Sequence, residues 1–154
     1  YTMPPFPDSD PTEGILRGLY RHHESTSTTA EKSHLLAAGP TIVLALKAAE
    51  MLEELGALIR RIHAGGISHG DLTTHNILWD DDAGLSLIDF GLAQITDDIE
   101  PLGLDLQVLN ECLKASHPSI EGAIDRVLNG YLTEGGQEVV TRFNDIRGRV
   151  RYHG

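Results

Sequence analysis

A short β-hairpin with a polar residue at each end constrains this chain more than any other feature. Two β-type runs, residues 76–79 and 85–89, are joined by the turn-forming stretch 80–84, which reads Asp-Asp-Asp-Ala-Gly. The two ends of a hairpin lie side by side, so Asn76 at its entrance and Asp89 at its exit are predicted to face each other. The pattern therefore predicts a small hairpin that brings these two side chains to one corner of the fold.

Helical patterns surround the hairpin. Over residues 41–63, apolar residues recur at steps of three and four, which predicts an amphipathic helix that ends at Gly65 and Gly66. The same spacing predicts three further helices, around residues 102–113, 120–131 and 139–146, and Asp105 is expected to open the first of them. A short helical piece is predicted over residues 13–20. The predicted fold class is therefore α+β and mostly helical.

Composition excludes several classes of function. The 154 residues include 23 acidic and 12 basic side chains, and the net charge of −11 argues against nucleic-acid binding by the whole surface. No apolar run approaches the roughly 20 residues of a membrane span, so no membrane partner is predicted. The single cysteine, Cys112, cannot form an internal disulfide, which favours a reducing compartment, the cytoplasm or also the nucleus. Cys112 itself is expected to be inert packing on the core side of its helix.

A third polar residue joins the predicted corner. Asp71 lies five residues before Asn76, in the loop between the first helix and the hairpin. Two carboxylates and an amide carbonyl are hard oxygen ligands of the kind that suits Mg²⁺ together with phosphate oxygens. A carboxylate that does not bind the metal can orient a hydroxyl or a water for attack. The residues therefore predict a phosphoryl-transfer site.

The spacing of these residues also matches known motifs. Residues 69–76 read His-Gly-Asp-Leu-Thr-Thr-His-Asn and match the protein-kinase catalytic loop H-x-D-L-x-x-x-N, while residues 89–91 match its D-F-G motif. The His-Gly-Asp-Leu-Thr-Thr string resembles the small atypical kinase of the KEOPS complex, the PRPK family. Residues 116–118 (Ser-His-Pro) and 146–151 (Ile-Arg-Gly-Arg-Val-Arg) are similar to further elements of that family. The resemblance spans about residues 41–151 and implies a protein-kinase-like C-terminal lobe whose hairpin carries the catalytic loop and the D-F-G motif.

The resemblance implies roles for individual residues in the binding of ATP and Mg²⁺. It implies that Asp71 is the catalytic carboxylate and that Asn76 and Asp89 bind the metal. It also implies that these two residues contact the nucleotide. Thr73 stands where a lysine is usual, and two roles remain open for it: a hydrogen-bonding residue within the loop, or a donor to phosphate that would help to bind the nucleotide.

Supporting residues and partners follow from the same resemblance. His69 would pack under the loop and Asp105 would brace its backbone. The family implies docking on the threonylcarbamoyl-transferase subunit and on a small regulatory subunit of KEOPS. It also implies a role in activity or tRNA contact for the tail arginines, Arg147, Arg149 and Arg151. A solvated helix end, which cations favour, explains these arginines equally well.

The predicted organisation has three parts: an irregular segment 1–40, a kinase-like lobe 41–146 and a basic tail 147–154. The first forty residues contain no glycine-rich phosphate loop and no lysine in a strand context, so a C-terminal lobe without a complete N-terminal lobe is expected. The predicted function is that of an atypical serine/threonine kinase or ATPase that supports threonylcarbamoyladenosine modification of tRNA. Two alternatives remain: a catalytically inactive docking module made of this lobe, and a small-molecule phosphotransferase of the aminoglycoside type.

Overall fold

The computed structural model describes residues 40–80 and 82–153. The predicted segment 1–40, apart from Pro40, and the helical piece at 13–20 lie outside this range. The described chain forms, in order, α1 (Pro40–Ala64), β1 (Ile67–Ser68), a 3-10 turn (Thr74–Asn76), β2 (Ile77–Asp80), β3 (Gly84–Leu87), β4 (Gln94–Ile95), α2 (Ile99–Ser116), α3 (Ala123–Tyr131), a second 3-10 turn (Leu132–Glu134) and α4 (Gln137–His153). The predicted mostly helical α+β class is confirmed.

Helix α1 ends where glycine makes continuation unfavourable. The N–H of Gly65 bonds to the carbonyl of Arg61, and that of Gly66 bonds to the carbonyl of His63. Gly66 has φ +77°, a backbone conformation that side chains with a Cβ rarely adopt. The chain therefore turns away from the helix and enters β1 at once.

The predicted hairpin is confirmed, but its strands run over residues 77–80 and 84–87 instead of the predicted 76–79 and 85–89. Strand β2 pairs antiparallel with β3, and Asp80 stands opposite Gly84. One carboxylate oxygen of Asp80 accepts the backbone N–H groups of Asp82 and Ala83, both at 2.8 Å, and these bonds lower the pKa of Asp80. The second strand ends at Leu87 instead of the predicted 89, because Asp89 has φ +59°, which a strand cannot contain.

A second two-stranded sheet was not predicted. Strand β1 pairs antiparallel with β4, and Ile67 stands opposite Ile95. The carbonyl of Gly66 accepts the N–H of Thr96 at 2.8 Å, which extends this pairing. The small sheet ties the chain just before residues 69–76 to the chain just after residues 89–91.

Helix α2 begins earlier than expected, which corrects the position of Asp105. Asp98 is its N-cap, and the Asp98 carboxylate accepts the N–H of Glu100 at 3.0 Å. Asp105 consequently lies inside α2 instead of opening it, and it is buried. From this interior position Asp105 reaches the loop at 69–76.

The core lies between the four helices. Its buried members are Leu52, Leu55 and Ile59 from α1, Leu102, Leu106, Leu109 and Leu113 from α2, Ala123, Val127, Leu128 and Tyr131 from α3, and Val139, Val140 and Phe143 from α4. Leu72, fully buried, joins this cluster from the loop at 69–76. The loop is therefore anchored in the core by its own side chain. None of the helices in the described ranges is both long enough and apolar enough to cross a membrane.

Candidate phosphoryl-transfer site

The loop at residues 69–76, called the catalytic loop below, is held at its start by one buried carboxylate. Asp105 Oδ2 accepts the backbone N–H of His69 at 2.7 Å, and Asp105 Oδ1 accepts that of Gly70 at 2.9 Å. Only 3% of Asp105 is exposed to solvent. A buried carboxylate with two charge-assisted bonds to backbone fixes the loop firmly. This is the geometry that the predicted bracing role requires.

Asp105 is itself held by a buried chain of polar groups that the sequence analysis did not find. His63 Nε2 lies 2.9 Å from Asp105 Oδ2, and His63 Nδ1 lies 2.7 Å from the Tyr131 hydroxyl. Both contacts are satisfied when the His63 ring donates from Nε2 and accepts a hydrogen bond from the Tyr131 hydroxyl at Nδ1. Helices α1, α2 and α3 are therefore joined beneath the catalytic loop. Apolar periodicity carries no signal for such a chain, since its members come from three distant segments.

We expect the free energy of unfolding of Tyr131→Phe to decrease less at alkaline pH than that of the wild type. Burial raises the pKa of Tyr131 to about 12, while the unfolded chain has an ordinary tyrosine pKa near 10. The stability contributed by the protonated phenol is therefore fully present below pH 10 and is lost as the pH rises toward 12. Urea unfolding at pH 8 and pH 11 should show a larger loss for the wild type than for Tyr131→Phe. Equal losses would contradict the prediction.

The His69 ring connects the catalytic loop to the residues that follow the hairpin. Its Nδ1 accepts the N–H of Asp71 at 3.1 Å, so Nε2 carries the proton and donates to the carbonyl of Ile88 at 2.8 Å. The ring also packs on the Phe90 ring, with centroids 4.7 Å apart. His69 is 1% exposed and its ring nitrogens are engaged on both sides. These contacts are the ones that the predicted supporting role of His69 requires.

Asp71 and Asn76 meet across the loop, as the motif predicts. Asn76 Nδ2 donates to the backbone carbonyl of Asp71 at 2.9 Å and lies 3.2 Å from its Oδ2. The Asp71 carbonyl also accepts the N–H of Thr73 at 2.9 Å. Because its amide nitrogen is turned toward Asp71, the Oδ1 of Asn76 is left without a hydrogen-bond donor among the residues that the structure describes.

Asp89 reaches the same corner through the backbone. The N–H of Ile88 donates to the carbonyl of Asn76 at 2.9 Å, so Asp89 follows directly on a residue bonded to Asn76. Asp89 is exposed, and within residues 40–80 and 82–153 its carboxylate accepts no hydrogen bond. Its φ of +59° is uncommon for a residue with a side chain, and such strain concentrates at functional sites. The backbone thus presents an unshared carboxylate beside the catalytic loop.

Gly70 lies where the common kinase motif H-R-D has an arginine, and a close backbone approach requires glycine at this position. Its φ is +86°, and a Cβ atom there would lie 2.2 Å from the carbonyl oxygen of Leu92. No side chain fits at that distance. The departure from the common kinase pattern therefore lets the segment after Phe90 and Gly91 lie directly against the catalytic loop.

The donors at this corner fit a magnesium ion. Asn76 Oδ1 and the Asp89 carboxylate are hard oxygen donors, and Mg²⁺ is usually held by one or two carboxylates while waters and substrate phosphates fill the remaining positions. In the described part of the chain, no group of three or more His, Cys, Asp or Glu residues could hold a metal by itself. The coordination of an ion here would therefore have to be completed by waters or by the oxygens of a bound phosphate group. Thr73, half-buried in the same loop, stays a predicted donor to that phosphate.

The predicted tail is part of a helix. Helix α4 continues through residues 147–153, past the end at 146 that apolar spacing predicted. Glu100 pairs with Arg142 and, at 3.6 Å, with Arg149. The Arg147 guanidinium lies over the Phe143 ring, 5.0 Å from its centroid. Arg151 is exposed, and no ion pair to it exists among the described residues.

Comparison with known proteins assigns the chain to a kinase family. Residues 20–100 match the sequence profile of the Lipopolysaccharide kinase (Kdo/WaaP) family, which is more than half of the chain. The chain belongs to this family. It is 38% identical over 104 residues to a probable serine/threonine-protein kinase BUD32 homolog of Archaeoglobus fulgidus, covering 67% of this chain and 53% of the relative. It is 35% identical over 108 residues to the KEOPS complex subunit Bud32 of Pyrococcus abyssi, covering 67% and 49%.

A third relative links the same region to tRNA modification by its name. The chain is 39% identical over 105 residues to a probable bifunctional tRNA threonylcarbamoyladenosine biosynthesis protein of Methanocorpusculum labreanum, covering 67% of this chain and 20% of the relative. The chain thus spans about half the length of the Bud32 relatives and a fifth of the bifunctional one. The predicted resemblance to the small KEOPS kinase family is confirmed, and a kinase-like lobe is the fold that these relatives support.

Proposed function

We propose that this chain is an atypical kinase or ATPase lobe of the Bud32 type, which uses Mg-ATP in support of threonylcarbamoyladenosine modification of tRNA. One observation carries the proposal. The Asn76 side chain bonds to Asp71 while its backbone carbonyl bonds to the N–H of Ile88, so Asp71, Asn76 and Asp89 belong to one connected corner. Phosphoryl transfer needs a positioned carboxylate and metal-binding oxygens at one place.

Each residue has a distinct task in this proposal. Asn76 and Asp89 would hold Mg²⁺, and the Thr73 hydroxyl would donate a hydrogen bond to a phosphate oxygen. Mg-ATP, when bound, supplies the phosphoryl group and neutralises the charge that develops during its transfer. Asp71 orients the attacking hydroxyl or water and accepts its proton. Asp105 and His69 keep the loop in place.

The proposed partners are the other subunits of a KEOPS complex: the threonylcarbamoyl-transferase subunit and a small regulatory subunit. The name of the Pyrococcus abyssi relative supports this assignment. A tRNA contact is proposed for the last turns of α4. Arg151 is the best candidate there, since Arg149 already pairs with Glu100 and Arg147 lies on Phe143. A cytoplasmic or nuclear location belongs to the same proposal.

The direct test is ATP hydrolysis by this chain with Mg²⁺, with and without the transferase subunit and tRNA, compared with Asp89→Asn. The variant removes a negative metal ligand and leaves the side chain nearly the same size. We expect the concentration of Mg-ATP at half-maximal rate to rise at least about tenfold, since charge-assisted contacts contribute 1.5–3 kcal/mol or so. Unchanged hydrolysis in Asp89→Asn would show that Asp89 does not bind the metal. Absence of turnover in the wild type, with binding to the transferase subunit retained, would favour the docking module.

The description of the family supports a second acceptor class, a sugar hydroxyl as in lipopolysaccharide. The same assay distinguishes the two when radiolabelled ATP is offered with a lipopolysaccharide core or with a serine-containing protein. Transfer to the sugar alone would favour a small-molecule phosphotransferase. Transfer to protein or to water supports the Bud32-type assignment.

A further inference from the structure

The far end of the catalytic loop is held by a second set of contacts, all directed at Thr74. Its backbone N–H lies 3.4 Å from Cys112 Sγ, its hydroxyl oxygen lies 3.3 Å from the same sulfur, and His117 Nε2 lies 3.0 Å from that hydroxyl. Thr74 is 7% exposed and His117 is 1% exposed. A hydroxyl can donate one hydrogen bond and accept two, so Thr74 satisfies both partners at once.

Both of these partners come from the end of α2. Cys112 lies in its last turns, and His117 is its C-cap, whose N–H bonds to the carbonyl of Leu113 at 2.9 Å. Asp105, which holds the start of the loop, lies seven residues before Cys112. Seven residues are about two turns, or roughly 10 Å, so both side chains project from one face of the helix. Helix α2 therefore holds the catalytic loop at two fixed points.

Asp71 lies between the two positions at which α2 holds the loop, and Asn76 lies two residues after the second of them. Thr74 opens the 3-10 turn that Asn76 closes, and its carbonyl accepts the N–H of Ile77. Asn76 then bonds back to Asp71 through its side chain. A displacement of Thr74 would thus be passed through one turn of backbone to Asn76 and from there to Asp71.

We propose that Cys112, Thr74 and His117 form a positioning cluster that sets the Asn76 side chain for metal binding. This inference rests on the proposed function, since it concerns the metal requirement of the same site. It corrects the prediction that Cys112 is inert core packing. The structure shows Cys112 to be only partly buried and in contact with the loop.

The test compares Thr74→Val, which removes the hydroxyl without changing the shape, with Thr74→Ser, which keeps it. Two readouts are used: the Mg²⁺ concentration at half-maximal ATP hydrolysis, and the NMR shift of the Asn76 side-chain amide in the ligand-free chain. We expect Thr74→Val to raise the Mg²⁺ requirement about tenfold, the usual size for a lost buried hydrogen bond, and to move the Asn76 amide signal. Thr74→Ser should keep both the Mg²⁺ requirement and the Asn76 amide signal close to those of the wild type. Cys112→Ala should act in the same direction with a smaller effect.

Thr133→Val is the matched control. Its hydroxyl donates to the carbonyl of Gly130 at 2.8 Å, at the end of α3 and outside the catalytic loop. This variant should change neither readout. A folded Thr74→Val with an unchanged Asn76 signal and an unchanged Mg²⁺ requirement would overturn the positioning role while leaving the proposed function intact. Should the wild type lack turnover, the proposed function fails, and the Asn76 signal alone decides: a shift in Thr74→Val upholds the positioning of Asn76, and no shift overturns it.

Discussion

Asp71→Asn is expected to lower kcat for ATP turnover by about 10²- to 10⁴-fold, the usual contribution of a general base. Half-maximal rate should still need nearly the same concentration of Mg-ATP, because Asp71 is not one of the two proposed metal ligands. The substituted side chain keeps an oxygen that can accept a hydrogen bond from Asn76 Nδ2, so the loop contact at 3.2 Å is retained. Steady-state kinetics with varied Mg-ATP would separate the two effects.

The control for this prediction is Asp125→Asn. Asp125 is an exposed carboxylate in the first turn of α3, a helix that supplies no residue to the proposed metal or catalytic positions. The Asp125→Asn substitution removes the same charge and should leave both kcat and the Mg-ATP concentration at half-maximal rate unchanged. An Asp71→Asn chain with normal kcat would show that Asp71 is not the base. A raised requirement for Mg-ATP at normal kcat would make it a binding residue instead.

Gly130→Ala is expected to destabilise the fold by about 3 kcal/mol or more, at the upper end of the range for overpacked cores. Helices α1 and α3 approach so closely here that a Cβ on Gly130 would lie 1.8 Å from the carbonyl oxygen of Glu53. The approach is reciprocal, since a Cβ on Gly56 would lie 1.9 Å from the carbonyl oxygen of Val127. Backbone cannot yield as a flexible side chain can, so the helices must separate. Urea unfolding followed by circular dichroism measures the loss.

The same substitution at Gly148 should stabilise the fold instead of destabilising it. Gly148 lies in α4, and a Cβ there meets nothing within 4 Å. Alanine in a helix interior is favoured over glycine by up to about 1 kcal/mol, so Gly148→Ala should raise the free energy of unfolding slightly. Equal effects of the two substitutions would show that helix propensity, and not the contact between α1 and α3, governs both positions.

Much of the local structure could be predicted because its causes are local. The apolar spacing in α1 and the glycines after it depend on neighbours within a few residues, and the hairpin depends on its Asp- and Gly-rich turn. The motif spacing likewise predicts Asp71, Asn76 and Asp89 as one group, and the structure bonds Asn76 both to Asp71 and to Ile88, the residue before Asp89. The start of α2 was misplaced because its N-cap, Asp98, precedes the first apolar residue of the pattern.

The parts that were missed depend on residues far apart in the chain. The pairing of β1 with β4 joins strands of two residues each, which are too short to show any periodicity. The chain from Tyr131 through His63 to Asp105 crosses three helices. The position of Cys112 on its helix predicts only core packing, whereas its contact with Thr74 depends on where the catalytic loop lies.

The sequence by itself determined the helices, the hairpin and the residue types that phosphoryl transfer needs, because spacing and turn chemistry act over short distances. Only the tertiary structure decided how those residues are held. Asp105 holds the start of the catalytic loop and Cys112 with His117 holds its end, since all three lie on α2 and the packed core fixes α2 relative to the loop through the fully buried Leu72. Burial and hydrogen-bond distance between remote segments follow from packing in three dimensions, which no local pattern encodes.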